Sequence, residues 1–424
     1  MRYTSTRDPL DGASFLDAVL RGAAGQGGLY FPTSVPRLDD VGALLSLPLA
    51  ERSAAVVAPW IGGDLPADEV AGICARAFSF PAPVVQLSER LFVLELFHGP
   101  TLAFKDFGAR FMAQVLGAHQ ARAGAQRPIT ILTATSGDTG AAVAHAFYGV
   151  PGVEVRVLYP AGRISALQER LFCGLGGNVR TYRVAGSFDD CQAMVKACFR
   201  DPALTASLGL TSANSINISR LVAQSVYYFE GAAQVHADRR VFCVPSGNFG
   251  NLTAGLFARE MGLPVHDFVC ATNRNNVVPS YMQTGRYAPQ VSVPTISNAM
   301  DVGAPSNWER IQAMYPDGAQ GHFRSGWASD AQTVAAMQRL HREHGYVADP
   351  HTAVGAHVLE ETLRPGETAI LLSTAHPAKF QQTVEDALGV PVPLPPALAA
   401  VVDQPVLSVD IPAEQDALVR ALIA

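Results

Sequence analysis

Two stretches of this chain decide its fold: TATSGDTGAAVAHAF at Thr133–Phe147 and VPSGNFGNLTAGLF at Val244–Phe257. In each, a run typical of a β-strand meets Ser-Gly-Asp/Asn-x-Gly and passes directly into a helical pattern. The glycines let the backbone come close to a ligand, and the N–H groups at a helix start attract a phosphate or carboxylate. One such turn is common structural punctuation, whereas two indicate that two anionic groups are held.

Neither turn is a nucleotide-binding fingerprint. The patterns G-x-G-x-x-G and G-x-x-x-x-G-K-[ST] are absent from both. A dinucleotide or a nucleoside triphosphate is therefore disfavoured, and a smaller phosphorylated ligand fits better.

Strand-like and helix-like stretches alternate on both sides of the two turns. The predicted strands are Leu91–Phe97, Ile129–Thr135, Val153–Tyr159, Val241–Val244, Val265–Ala271 and Thr368–Ser373. This alternation is typical of an α/β fold with mainly parallel sheets.

The first ninety residues follow a different, mostly helical pattern. Helical spacing runs through Ser14–Ala24, Val41–Val57 and Asp68–Phe78. Pro81 and Pro83 then interrupt the pattern and mark a boundary. The chain is therefore predicted to have an N-terminal segment and two α/β regions: 1–90, 91–230 and 231–424.

Composition excludes several classes of protein. The 424 residues are 48% apolar and 16% charged, which is enough to build a large core. The net charge of -6 makes nucleic acid an unexpected partner. No apolar run is long enough for a membrane span, and the N-terminus does not resemble a signal peptide. The six cysteines form no C-x-x-C pair, so we expect reduced thiols in a cytoplasmic protein.

A lysine with unusual neighbours lies in FHGPTLAFKDFGARF at Phe97–Phe111. Lys105 stands between Phe104 and Phe107, and a desolvated lysine can act as an amine nucleophile. The adjacent Asp106 would offset that effect. The segment alone favours an ordinary solvent-facing lysine.

Two further segments offer polar groups for a ligand. SANSINISR at Ser212–Arg220 brings together the amide, hydroxyl and guanidinium groups of Asn214, Ser215 and Arg220, which suit a phosphate or carboxylate. A polar loop with a helix cap explains this segment equally well. In LLSTAHPAKF, Thr374 follows a strand, at the end where open α/β sheets bind ligands or where the next helix is capped.

No metal site is predicted. His341 and His344 share a helix face, but there is no H-E-x-x-H motif and no third ligand at a suitable spacing. We interpret both histidines as surface residues.

Taken together, these segments resemble the threonine synthase family of fold-type II pyridoxal-phosphate enzymes, over nearly the whole chain. The matching segments are YTSTRD, FLDAVLRGAAGQGGLYFP, ELFHGPTLAFKDFGARF, TATSGDTGAA, NSINISR, PSGNFGNLTAG and STAHPAKF. The resemblance implies two mainly parallel-sheet domains, a mostly helical N-terminal segment and pyridoxal 5'-phosphate as cofactor.

The resemblance also implies a role for individual residues. Lys105 matches the Schiff-base lysine, and Thr374 matches the hydroxyl residue at the pyridine nitrogen. The loop that cradles the cofactor phosphate is matched by Gly247, Asn248, Phe249, Gly250 and Asn251. The substrate-binding positions are matched by Ser136, Asp138, Thr139, Asn214, Ser215 and Arg220. Many relatives carry Asn in place of Asp138, so no contact to the cofactor's ring hydroxyl is carried over, and Ser5, Thr6 and Arg7 match a motif to which no role is assigned.

The implied reaction converts O-phospho-L-homoserine and water into L-threonine and phosphate. Two alternatives remain open at this point. One is a pyridoxal-phosphate-dependent phospho-lyase that releases a 2-oxo acid, and the other is a non-catalytic ligand-binding protein on the same scaffold. Related microbial enzymes of this length suggest a monomer.

Overall fold

The computed structural model describes residues 1–124 and 128–423, so Ala424, the last residue of the third predicted region, lies outside it. A small antiparallel sheet opens the chain, with β1 in the middle. Its strands are β1 (Tyr3–Ser5), β2 (Gly12–Ala13) and β3 (Tyr30–Pro32). The N-terminal helices are α1 (Phe15–Arg21), α2 (Val41–Leu45), α3 (Leu49–Ile61) and α4 (Ala67–Ala77).

Helix α1 begins and ends where local chemistry dictates. The Ser14 side chain accepts from the backbone N–H of Asp17, and the Asp17 side chain completes a capping box. Gly22, at φ 73°, ends the helix in a conformation that favours glycine. The predicted helical stretches Ser14–Ala24 and Asp68–Phe78 correspond to α1 and α4, whereas Val41–Val57 is divided into α2 and α3 by a break before Leu49. The three-stranded sheet was not predicted as such, because its strands are only two or three residues long.

The strands of the rest of the chain form two larger sheets. They are β4 (Val84–Gln86), β5 (Leu91–Glu95), β6 (Ile129–Ala134), β7 (Val153–Pro160), β8 (Val179–Ala185), β9 (Leu210–Thr211), β10 (Arg240–Pro245), β11 (Asp267–Thr272), β12 (Arg324–Trp327), β13 (Thr368–Ser373) and β14 (Val409–Pro412).

Helices connect these strands. They are α5 (Lys105–Ala123), α6 (Asp138–Phe147), α7 (Ala166–Cys173), α8 (Phe188–Arg200), α9 (Pro202–Leu208), α10 (Ile218–Gln234), α11 (Gly250–Glu260), α12 (Val277–Thr284), α13 (Trp308–Met314), α14 (Asp330–His344), α15 (Pro350–Thr362), α16 (Gln381–Leu388), α17 (Pro396–Ala399) and α18 (Gln415–Ile423).

Both large sheets are mainly parallel. The first has the strand order β12-β11-β10-β13-β5-β4, and only the β4–β5 pair is antiparallel. The second has the order β14-β8-β7-β6-β9, and all of its pairs are parallel. The predicted α/β fold with mainly parallel sheets is confirmed.

Strand pairing crosses the predicted region borders at residues 90 and 230. Strand β5, from the second predicted region, pairs with β13 of the third, for example Leu91 with Ala369. Strand β14, near the end of the chain, pairs with β8 in the other sheet. The borders at 90 and 230 remain a prediction about folding units, and they do not separate the sheets.

Helix α10 forms the centre of the molecule. It packs against α3, α5 and α11, and all but three of its residues are buried. Tyr227 and Tyr228 on this helix contact Phe107, Phe242 and Phe268 through edge-on ring packing, the usual arrangement of aromatic cores. A helix that is buried all round provides a rigid base for the polar residues at its N-terminal end.

Candidate active site

Three helices begin at the predicted site. Helix α5 begins at Lys105, α6 begins at Asp138 directly after β6, and α11 begins at Gly250 directly after β10. Such helix starts present N–H donors and the positive end of the helix dipole. The sequence prediction of two strand-turn-helix units is therefore correct in its local geometry.

Asp138 lies between two lysine amines. Its Oδ2 is 3.4 Å from Nζ of Lys105, and its Oδ1 is 2.7 Å from Nζ of Lys379. The Lys379 side chain is fully buried, and its Nζ also donates to the carbonyl oxygen of Thr101 at 2.7 Å. The adjacent Asp106 is not the partner of Lys105, because its carboxylate accepts from the N–H and hydroxyl of Thr101.

These contacts shift the pKa of both partners of the Lys105–Asp138 pair. Burial lowers the pKa of Lys105, the nearby charges of Lys379 and Arg220 add to that effect, and Asp138 opposes it. Burial alone would raise the pKa of Asp138, but the charges of Lys379 and Lys105 outweigh it and hold that pKa far below its usual value. The site therefore combines an ionised carboxylate with an amine that loses its proton more readily than usual.

Arg220 contacts the backbone of Lys105. Its Nη2 donates to the carbonyl oxygen of Lys105 at 3.3 Å and its Nη1 to that of Ala213, while its Nε has no hydrogen-bond partner among the residues that the structure describes. Burial lowers the pKa of Arg220 to about 10. A side chain at Gly108 would overlap the Arg220 guanidinium, so a glycine is required there. A buried cation with an unpaired donor suits an anionic ligand.

The polar cluster of the predicted substrate site adjoins the second glycine turn. Asn214 Oδ1 accepts from the hydroxyl of Thr133 at the end of β6, and Ser215 Oγ accepts from Nδ2 of Asn248 at 2.7 Å. A Cβ added at Gly250 would lie 3.3 Å from that of Ser215. The two segments predicted to bind anions are therefore neighbours in space, although some thirty residues separate them in sequence.

The second glycine turn is built for a close approach. A Cβ at Gly247 would lie 2.8 Å from the Cα of Met300 and 2.9 Å from the carbonyl oxygen of Ala299. Phe249 has the left-handed conformation, at φ 61°, immediately before α11. The Asn251 Oδ1 is held by helix α10, because it accepts from the hydroxyls of Tyr227 and Tyr228.

The remaining predicted residues follow the carboxyl ends of two strands, β6 and β13. Ser136 and Thr139 are half-buried on either side of Asp138, in a turn that the Thr135 hydroxyl orders by accepting from Gly137 and Gly140. Thr374 follows β13, and its carbonyl oxygen accepts from the N–H of Phe104 at 2.9 Å. This bond joins the end of β13 to the residue before Lys105.

The N-terminal motif reaches the site through α13. Thr6 and Arg7 both donate to the carboxylate of Glu309, with Arg7 Nη2 at 2.9 Å. The next residue, Arg310, is fully buried. Its guanidinium donates to the carbonyl oxygens of Tyr30, Ser215 and Ile216. Glu309, Arg310 and Lys379 were not predicted from the sequence, because their partners lie in distant segments.

We expect a Glu309→Gln substitution to lower the free energy of unfolding by about 1 kcal/mol, because the carboxylate holds Arg7 and Thr6. These partners lower the pKa of Glu309 despite its partial burial. The stabilisation is therefore complete above the unfolded pKa of a glutamate, about 4.3, and is lost as the pH falls through the folded value. Urea unfolding at several pH values measures it. Glu343→Gln, at an exposed ion pair, is the control, and an equal loss in both variants contradicts the prediction.

No group of metal-ligating side chains occurs in residues 1–124 and 128–423. His344 is exposed and His341 half-exposed at the end of α14. Within the same ranges no helix is long and apolar enough to cross a membrane. The six cysteines are all buried and unpaired in this part of the chain.

Comparisons with known proteins define first the class and then the family. A family model described as pyridoxal-phosphate dependent enzyme matches residues 78–374, which include every predicted site residue. The fold is that of a fold-type II enzyme of this class, with pyridoxal phosphate as cofactor. Models of the threonine synthase N terminus and C-terminal region match residues 2–78 and 352–423. The chain belongs to the threonine synthase family.

Individual relatives agree with this assignment. Threonine synthases of Haemophilus influenzae and Escherichia coli are each 48% identical to it, over 96% of both chains for the first and over 100% of this chain and 99% of the relative for the second. The crystal structure of the Escherichia coli threonine synthase superposes with a TM-score of 0.94 at 47% identity, covering 100% of this chain and 99% of the other. A structure of pyridoxal-phosphate-bound threonine synthase from Brucella melitensis superposes with a TM-score of 0.92 at 34% identity, covering 100% and 98%.

Proposed function

We propose that this protein converts O-phospho-L-homoserine and water into L-threonine and phosphate. The observation that carries the proposal is the contact between Arg220 and the carbonyl oxygen of Lys105. The guanidinium has an unpaired donor among the residues that the structure describes, and its charge adds to burial in lowering the pKa of the Lys105 amine. A substrate that carries both an amino group and a phosphate needs this combination.

The residues present fit pyridoxal phosphate. Lys105 would hold it covalently, the N–H groups from Gly247 to Asn251 would bind its phosphate, and Thr374 would meet its pyridine nitrogen. The close packing at Gly247 and the helix start at Gly250 support the phosphate assignment. The Asn251 Oδ1 accepts from two tyrosine hydroxyls, whereas its Nδ2 has no hydrogen-bond partner among the residues that the structure describes, so the side-chain amide can donate as well as the backbone N–H. The cofactor supplies an electron sink for carbanion chemistry when bound.

Lys105 is the proposed proton carrier. Its Nζ is held by Asp138 and its pKa is lowered by burial, so a larger fraction of the amine is neutral near pH 7 than for an exposed lysine. A neutral Nζ takes the proton from the substrate's α carbon and returns it at a later step. Asp138 remains ionised and keeps the amine in position.

Arg220, Asn214 and Ser215 are the proposed receptor for the substrate phosphate, with Ser136 and Thr139 at the start of α6. The departing phosphate carries close to two negative charges at neutral pH, and a buried guanidinium and a helix N-terminus stabilise that charge. The bond from Asn248 to Ser215 couples this receptor to the cofactor turn.

The product distinguishes this reaction from that of a phospho-lyase. We expect purified protein with pyridoxal phosphate and O-phospho-L-homoserine to form threonine and phosphate in equal amounts, with little 2-oxobutyrate. Amino-acid analysis and a keto-acid assay on the same sample measure the ratio. 2-Oxobutyrate as the main product would overturn the assignment, and no turnover together with tight binding would favour a binding protein.

Two finer statements belong to the same proposal. We infer a monomer from the resemblance to microbial enzymes of this length, and light scattering on the eluting protein tests it. We also infer a cytoplasmic location, because six buried thiols suit a reducing compartment. Cell fractionation with an antibody to the protein tests the location.

A further inference from the structure

Lysine is rare in this chain, and its placement is uneven. Of the 31 Lys and Arg residues only three are lysines: Lys105, Lys196 and Lys379. Lys196 is exposed on α8. The other two converge on the two oxygens of a single buried carboxylate, Asp138. The chain otherwise uses arginine for its cations, so a second lysine in this place calls for a physical explanation.

We propose that Lys379 is a positioning residue that keeps Asp138 ionised and in place whether or not Lys105 carries a proton. This inference rests on the proposed role of Lys105. Lys379 is suited to the task because its side chain is fully buried, its Nζ is fixed by the carbonyl oxygen of Thr101, and it binds the oxygen of Asp138 that Lys105 leaves free.

The reason lies in charge balance. Lys105 must lose its positive charge to act as a base or nucleophile. Without Lys379 this would leave the buried Asp138 carboxylate with a neutral donor, the Gln168 Nε2 at 3.5 Å, and with no ion-pair partner among the residues that the structure describes. An unpaired buried charge is unfavourable by several kcal/mol, so without a second cation the carboxylate would keep Lys105 protonated or would itself take up a proton. With Lys379 present, Asp138 retains a counter-ion at 2.7 Å in every state of Lys105.

Other charged groups near the three residues do not replace Lys379. The charge of Arg220 lowers the pKa of Lys105, and the charge of His351 lowers the pKa of Asp138. Around Lys379 lie Asp106, His145 and His376, and of these Asp106 is bound by Thr101. The direct ion-pair contacts of Asp138 within residues 1–124 and 128–423 are the two lysines.

The pH dependence of Lys105 acetylation tests the proposal without cofactor or substrate. Full-length protein freed of pyridoxal phosphate is treated with a trace of acetic anhydride at a series of pH values, and peptide mapping gives the labelling of Lys105 relative to exposed Lys196. In Lys379→Gln we expect the midpoint for Lys105 to rise by about one pH unit, because a repelling charge is lost and Asp138 pairs with Lys105 alone. Labelling near pH 7 should then fall about tenfold.

Two further variants fix the direction of the effect. Asp138→Asn removes the attraction and should move the Lys105 midpoint downward, whereas Arg342→Gln, which removes a highly exposed cation on α14, should leave it unchanged. An unchanged midpoint in Lys379→Gln would overturn the proposal. So would an equal shift in Arg342→Gln. Because acetylation reads the amine itself, the result does not depend on whether threonine is the product.

A measurement on the unaltered protein covers the case in which Lys379→Gln does not fold. Lysine labelled with ¹³C at Cε gives three signals, which Lys196→Gln and acetylation of Lys105 assign. Because both lysines pair with the Asp138 carboxylate, we expect the chemical shift of Lys379 to change at the pH where Lys105 loses its proton. A Lys379 signal with no inflection at that pH would refute the coupling.

Discussion

Replacing Lys105 by alanine should lower kcat at least about 1,000-fold while the protein stays folded. A positioned base contributes roughly 100- to 10,000-fold, and this residue is also the proposed attachment point of the cofactor. The fold should survive because Asp138 keeps Lys379 as its counter-ion, and because the Lys105 side chain is 17% exposed and is not part of the apolar core. Steady-state kinetics and circular dichroism measure the two effects.

Borohydride reduction of the wild-type protein followed by peptide mapping provides the complementary measurement. The reduced cofactor should be found on Lys105, and Lys196→Ala should change neither kcat nor the labelled peptide. Retention of more than a tenth of the activity in Lys105→Ala would contradict the assignment. So would reduced cofactor on Lys379, which would mean that the two buried amines have the opposite roles.

Replacing Arg220 by methionine should lower kcat/KM about 100-fold or more. Loss of one partner from a buried charge interaction is unfavourable by about 2–5 kcal/mol, and here the partner is the substrate phosphate. The same change should weaken inhibition by inorganic phosphate, because free phosphate would occupy the same receptor. Arg220→Lys should recover only part of the loss, since an ammonium lacks the paired donors that contact Ala213 and Lys105.

Arg240→Met is a matched control for this prediction. Arg240 is also buried and donates to backbone carbonyl oxygens, those of Val235, Pro264 and Ala232, but it lies at the opposite end of β10 from the glycine turn. We expect this variant to lose stability while kcat/KM of the folded protein stays unchanged. If Arg220→Met affects only stability, or leaves inhibition by phosphate intact, the substrate phosphate is bound elsewhere.

Local features of this protein could be predicted from its sequence. The two strand-turn-helix units follow from β-rich runs and glycine turns, and the structure begins α6 at Asp138 and α11 at Gly250, within those turns. These predictions succeed because a glycine turn and the start of the helical pattern that follows it lie within a few consecutive residues, and neither helix depends on a side-chain cap. The three-stranded N-terminal sheet was missed, since strands of two or three residues carry no periodic pattern.

Long-range contacts could not be predicted in the same way. Lys379 and Asp138 are more than two hundred residues apart, and nothing in STAHPAKF distinguishes a lysine that enters the site from one that faces water. Arg310 lies in a stretch without a clear helical pattern, yet it supports Ser215 through its backbone carbonyl. The composition gave one indication of a role for Lys379, because a chain with only three lysines offers few candidates for a lysine in the site.

The exchange of strands between the two sheets limits how this chain can fold during synthesis. Strand β5 forms near the ribosome early, but its partner β13 emerges only after most of the chain, and β8 must wait for β14 at the very end. Pairings between such distant segments are slow to form and leave strand edges exposed meanwhile. A nascent chain that stops before residue 409 would therefore leave β8 as an exposed edge strand, which β14 covers when it joins the sheet.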